Sequence, residues 1–172
     1  SDGVTLRDWL GEIKPKAIEV IPLIEDWGSM TSVEEIIGGF IESYRPRYLR
    51  VFLARSDPAL NYGLVAATLL VKIALSKLGE VERRYGVPVY PILGAGSLPF
   101  RGHLSPRNIG GFLEEYGSIY TVTIQSAFKY DYPGEEVKKA VRNLNNNLPS
   151  MEKPRLTSLY NYLLIPVPER AS

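Results

Sequence analysis

Four short apolar runs, AIEVIPLIE (17–25), YLRVFLARS (48–56), VPVYPIL (87–93) and YTVTIQSA (120–127), recur along this 172-residue chain with helical patterns between them. Their apolarity is continuous rather than alternating, which predicts strands buried on both faces, as in a parallel sheet. TSVEEIIGGFIESY (31–44) opens on a Thr/Ser cap followed by glutamates, suited to the positive end of a helix dipole. DPALNYGLVAATLLVKIALSKLGEVERRYG (57–86) reads as one long helix, with Asp57 at the N-cap, Pro58 at the first helical position and Gly86 as its stop. SPRNIGGFLEEYG (105–117) repeats that arrangement with Ser105, Pro106 and Gly117, and YPGEEVKKAVRNLNN (132–146) supplies a further helix. The order β-α-β-α-β-α-β-α calls for right-handed parallel crossovers. Four such units make half of a (β/α)8 TIM-type barrel or a small doubly wound sheet. The expected organisation is a single α/β domain over residues 1–172, a partial barrel in the first case. NNNLPSMEKPR (145–155) reads as a loop, and LTSLYNYLLIPV (156–167) as a helix end docking on the rest.

Composition narrows the chemistry. With 20 basic and 19 acidic residues the formal net charge is +1, so bulk electrostatics predicts neither a nucleic-acid nor a membrane partner. The absence of cysteine removes disulfides, thiolate nucleophiles and Cys-ligated zinc, and it fits a reducing compartment. A single histidine, His103, gives little support to a His-rich metal site or a Ser-His-Asp triad. No apolar run approaches the roughly 18–20 residues of a membrane span, and no basic segment leads into an apolar one as in a signal peptide. The expectation is a soluble, cytoplasmic chain. Its first residues, SDGVTL, and its last, PVPERAS, read as the ends of a fragment or a processed chain.

In both candidate architectures ligands bind at the carboxyl ends of the strands. Those positions hold Glu25 and Asp26 after the first run, then Arg55, Ser56 and Asp57 after the second. Residues 94–103 follow the third, and Gln125 to Lys129 the fourth. The third-strand loop, within PILGAGSLPFRGHLSP (91–106), combines spaced glycines with Arg101 and His103. Paired carboxylates with room for water suit Mg²⁺ or Mn²⁺. Arg101 and the backbone N–H groups of the loop suit a phosphate or carboxylate. Each feature also has a plainer reading. Asp57 is well placed to cap a helix, Glu25 and Asp26 to end a strand in solvent, Arg101 to pair with a surface acid, and His103 to be a polar loop residue. The aromatics of FKYDY (128–132) suit packing, and the Gly-x-Gly spacing matches neither the Walker nor the Rossmann pattern. On the residues alone the chain is an α/β domain with a candidate anion and metal site.

Whole stretches carry more. VIPLIED, RVFLARSDPALNYG, PILGAGSLPFRGHLSP and TVTIQSAFKYDYP, in this order, resemble the archaeal-type phosphoenolpyruvate carboxylases over most of residues 17–142. More distantly they are similar to the larger bacterial and plant carboxylases. The resemblance implies a TIM-type barrel that carboxylates phosphoenolpyruvate with bicarbonate, giving oxaloacetate and phosphate with Mg²⁺ or Mn²⁺. It implies metal-ligand roles for Glu25, in PLIE against the larger enzymes' PLFE, and for Asp57, in RSDPALN against YSDSAKD. GAGSLPFRGH corresponds to a mobile loop, GRGGxxGRGG, that helps hold anionic substrate. Ala95 stands at its first arginine and Arg101 at its second, while Leu60 replaces the lysine of the aspartate block. The candidate catalytic residues are thus Arg101 and Arg55. The candidate substrate-binding set is Gly94, Gly96, Ser97, Arg101, Gly102 and Gln125. The family's catalytic histidine and further arginines have no counterpart in these stretches, and His103 is not assigned that role. A homotetramer is the oligomer implied. Two other readings stand beside this one: another metal-dependent barrel lyase or aldolase acting on phosphoenolpyruvate or pyruvate, and a non-catalytic truncated chain serving an oligomer.

Overall fold

The computed structural model describes residue 11 and residues 18–148. Its centre is a pair of six-residue strands, β2 (Leu49–Ala54) and β3 (Val89–Gly94), flanked by the two-residue strands β1 (Leu23–Ile24) and β4 (Thr121–Val122). All neighbours are parallel and the order is sequential, β1-β2-β3-β4. Ile24 pairs with Leu53, Ala54 with Gly94, and Ile92 with Thr121. The four strands form an open sheet.

Sequential order decides where the helices go. Each crossover steps the same way across the sheet, and right-handed connections then place every helix on the same face. Leu49, Val51, Leu53, Val89 and Leu93 share one core with Ile37 and Ile41, with Leu70, Ala74 and Leu78, and with Phe112. The alternate positions Arg50, Phe52 and Tyr90 are only half-buried. Ala54 and Ile92 on that same face are buried, so the expectation of strands buried on both faces is met in part. The helices cover one face, and the apolar residues of the other read in sequence like a second buried side.

The helices are α1 (Trp27–Thr31), α2 (Val33–Tyr44), α3 (Ser56–Tyr62), α4 (Leu64–Tyr85), α5 (Ile109–Glu115) and α6 (Gly134–Asn147). Several boundaries differ from expectation. The helix read over 57–86 is two, broken at Gly63 with φ +88° and ψ 164°, a conformation open essentially to glycine alone. Asp57 is not an N-cap: α3 begins at Ser56, which puts Asp57 inside the first turn. Ser105 and Pro106 form a turn before α5, whose cap position is Asn108. Gly86 does end α4, in the left-handed conformation with its N–H on the Glu82 carbonyl. α6 reaches Asn147, one residue past the expected helix end at 146 and into the segment 145–155 also read as a loop. Residues 149–155 of that loop and the apolar segment 156–167 lie outside the described residues. The fourth run pairs over two residues only, because the chain then winds into a π-helical turn, Ala127–Asp131.

Candidate functional site

The carboxyl ends of β1, β2 and β3 carry Glu25, Asp57 and Arg101, and all three side chains are exposed. Asp26 has a different occupation. It caps α1 in a reciprocal box, its Oδ1 accepting from Ser29 N–H at 3.0 Å while its own N–H donates to Ser29 Oγ at 3.2 Å. The Ser29 hydroxyl also donates to Oδ2 at 2.6 Å, and this bond holds the Asp26 carboxyl below its ordinary range. Of the two adjacent acids, Asp26 serves the helix and Glu25 is exposed just past β1. Asp57 contributes its charge to the positive end of α3 without a capping hydrogen bond. An edge-to-face contact between Trp27 and Tyr62, centroids 5.8 Å apart, ties the chain just after Glu25 to the far end of the Asp57 helix.

The loop after β3 is a knot of its own backbone bonds. Gly96 N–H donates to the Arg101 carbonyl at 2.7 Å, and the Gly96 carbonyl accepts from Leu104 N–H at 2.8 Å. Arg101 and His103 N–H both donate to the Leu98 carbonyl, and Gly102 N–H to that of Pro99. Ala95 N–H is held by Thr123 Oγ1 at 3.1 Å, anchoring the loop to the end of β4. These amides are therefore committed inward. The exposed Arg101 guanidinium is a further donor of the loop. Its Nη1 donates to Gln125 Oε1 at 3.1 Å, and it lies over the Phe100 ring with its carbon 5.6 Å from the centroid.

The glycines of the loop have packing reasons. A Cβ on Gly94 would lie 2.7 Å from Phe52 on the neighbouring strand, and one on Gly96 would strike Gln125 Oε1. Gly102, at φ +101°, lies over the Arg55 side chain. Ser97 is half-buried, and His103 is exposed in the left-handed region, its carbonyl accepting from Asn108 Nδ2.

Arg55 lies beneath the rim rather than on it. It is 1% exposed and donates from Nε to Tyr116 Oη at 2.9 Å, from Nη1 to the Phe100 carbonyl at 2.8 Å and from Nη2 to Thr68 Oγ1 at 2.8 Å. No sequence signal marked Tyr116 or Thr68. Both sit in helical patterns where an aromatic or a threonine reads as ordinary packing.

Fold and rim together define a class: a parallel α/β protein with its helices on one face. At the strand ends where such proteins bind ligands it gathers two carboxylates, a guanidinium and an amide. A family profile described as phosphoenolpyruvate carboxylase matches residues 1–167. The chain belongs to that family. Curated relatives named phosphoenolpyruvate carboxylase include one from Metallosphaera sedula, 54% identical over 155 residues (90% of this chain, 30% of the relative). One from Caldivirga maquilingensis is 50% identical over 149 residues (87% and 29%), and one from Pyrococcus abyssi 46% over 160 residues (91% and 34%). The chain thus spans about a third of the length of these relatives. No helix among the described residues is long and apolar enough to cross a membrane.

Proposed function

We propose that this chain is the metal- and substrate-loop portion of a phosphoenolpyruvate carboxylase, a carbon–carbon lyase. The observation that carries the reading is the placement of Glu25, Asp57 and Arg101 at the carboxyl ends of three neighbouring strands in a member of this family. The sheet supports a (β/α)8 barrel as the complete fold: sequential parallel strands with helices on one face are what half a barrel requires, whereas a doubly wound sheet needs a reversal of order. The resemblance adds a cytoplasmic homotetramer.

Glu25 and Asp57 fit a hard divalent ion. Both are exposed oxygen donors, and among the described residues no group of three His, Cys, Asp or Glu side chains could hold an ion. Water and substrate oxygens would complete the shell, as is usual for Mg²⁺. When bound, the ion supplies a fixed positive charge that offsets the negative charge developing in the reaction. Arg101 holds the anionic substrate, and Gln125 orients Arg101. Bicarbonate oxygen attacks phosphorus and the bond from phosphorus to the enol oxygen breaks, leaving carboxyphosphate and the pyruvate enolate. Carboxyphosphate then yields phosphate and CO₂, and the enolate carbon bonds to CO₂ to give oxaloacetate. The loop 95–104 keeps water from the enolate, which protonation would divert to pyruvate.

Phosphate release from phosphoenolpyruvate by the complete protein tests this reading. Release that requires bicarbonate supports a carboxylase. Release indifferent to bicarbonate, or cleavage of an oxo acid instead, favours a different lyase or aldolase.

A further inference from the structure

We propose that Arg55 is a positioning residue for the substrate loop, acting through the Phe100 carbonyl to fix the backbone from which Arg101 projects; this rests on the carboxylase reading. The peptide unit joining Phe100 to Arg101 is held from both sides. Its carbonyl accepts from Arg55 Nη1 at 2.8 Å, and its N–H donates to the Leu98 carbonyl at 2.9 Å. The next carbonyl, that of Arg101, accepts from Gly96 N–H at 2.7 Å. The direction of the Arg101 side chain is therefore set by a backbone whose one charged tether is Arg55.

Arg55 is itself fixed by two helical segments besides the loop. Nε engages Tyr116 just past the end of α5, and Nη2 engages Thr68 Oγ1 and, at 3.3 Å, the Leu64 carbonyl in the first turns of α4. Among the described residues no carboxylate pairs with this buried cation, and its hydrogen-bond partners are all neutral oxygens. A guanidinium buried without a counter-ion is costly unless its fork of donors is well matched to acceptors, and here acceptors stand in three directions. Gly102 lies over the stem, where a Cβ would come within 3.4 Å of Arg55 Cγ. With the side chain at 1% exposure, Arg55 does not touch substrate. Its effect passes through the loop, and Asp57 lies two residues further along the chain on α3. One buried side chain thus ties the Asp57 segment to the Arg101 segment.

The test uses Arg55→Lys, which keeps the charge but cannot fork, and Tyr116→Phe, which keeps Arg55 and removes one of its acceptors, both in the complete protein. Three quantities are read: KM for phosphoenolpyruvate, the ratio of pyruvate to oxaloacetate formed, and hydrogen exchange of the amides of residues 96–104. Positioning predicts that Arg55→Lys raises KM about 10- to 100-fold, the scale expected for a misplaced binding group. It also predicts a larger pyruvate fraction and faster exchange in the loop while β2 and β3 remain protected. Tyr116→Phe moves all three in the same direction by less. A lowered melting temperature with unchanged KM and product ratio overturns the proposal and leaves Arg55 as packing alone. So does faster exchange spread evenly through the sheet. If Arg55→Lys does not fold, Tyr116→Phe carries the same decision. A wild-type protein without bicarbonate-dependent chemistry refutes the carboxylase reading instead, and the exchange pattern still decides whether Arg55 fixes the loop.

Discussion

Arg101 Nη1 donates to Gln125 Oε1 at 3.1 Å across the space above Gly96, joining the loop after β3 to the segment after β4. A Cβ on Gly96 would strike the Gln125 oxygen and lie 3.2 Å from Arg101 Cδ. Gly96→Ala therefore displaces the pair without touching the core. Steady-state kinetics should give a KM for phosphoenolpyruvate raised by about tenfold or more, with a melting temperature close to that of the wild type.

Asp57 sits in the first turn of α3 with no capping bond. Asp57→Asn removes an anionic ligand while taking from the fold only a helix-dipole interaction, worth about 0.3–1 kcal/mol. Mg²⁺-dependent activity should fall at least a hundredfold, while the urea midpoint moves little. A large loss of stability with intact metal dependence would assign Asp57 to the fold alone.

The break between α3 and α4 isolates a backbone effect. At Gly63 an added Cβ meets nothing within 4 Å, so the cost of Gly63→Ala is conformational, about 1–3 kcal/mol for a non-glycine residue at that φ and ψ. Denaturant unfolding should record that loss. An unchanged midpoint would mean that the two helices merge when the glycine is removed.

Arg107 grips Glu136 with two hydrogen bonds, 2.9 and 3.1 Å, linking the turn before α5 to α6. The bond from Arg107 lowers the Glu136 pKa. A depressed carboxyl stabilises the fold above its unfolded pKa, and the contribution is lost as pH falls through the folded value. Glu136→Gln should thus destabilise slightly at pH 7, and the difference from wild type should vanish in acid and shrink in high salt. A difference independent of pH would mean that the pair acts by packing.

The alternation of parallel strands and helices was legible because apolar runs separated by helical stretches admit few topologies, but the sequential strand order was not, since half a barrel and a doubly wound sheet share that alternation. Glu25, Asp57 and Arg101 were legible as strand-end positions, and the four matching blocks pointed to the family. Asp57 was misread as a cap because Asp-Pro favours that role locally, whereas the chain enters α3 two residues earlier, with Arg55 at the cap position. The break at Gly63 was hidden by apolar residues on both sides that keep a helical period. Arg55 could not be placed from sequence. Its burial depends on Tyr116, Phe100 and Thr68, which lie 61, 45 and 13 residues away. The inward commitment of the loop amides is equally non-local at its anchor, where Thr123 holds Ala95.

The most direct test of the central claim follows isotopically labelled bicarbonate through the reaction of the complete protein with phosphoenolpyruvate and Mg²⁺. The account predicts label in oxaloacetate in step with phosphate release, and loss of both in Arg101→Ala. Phosphate without labelled oxaloacetate in the wild type, or labelling that is indifferent to Arg101, would contradict it.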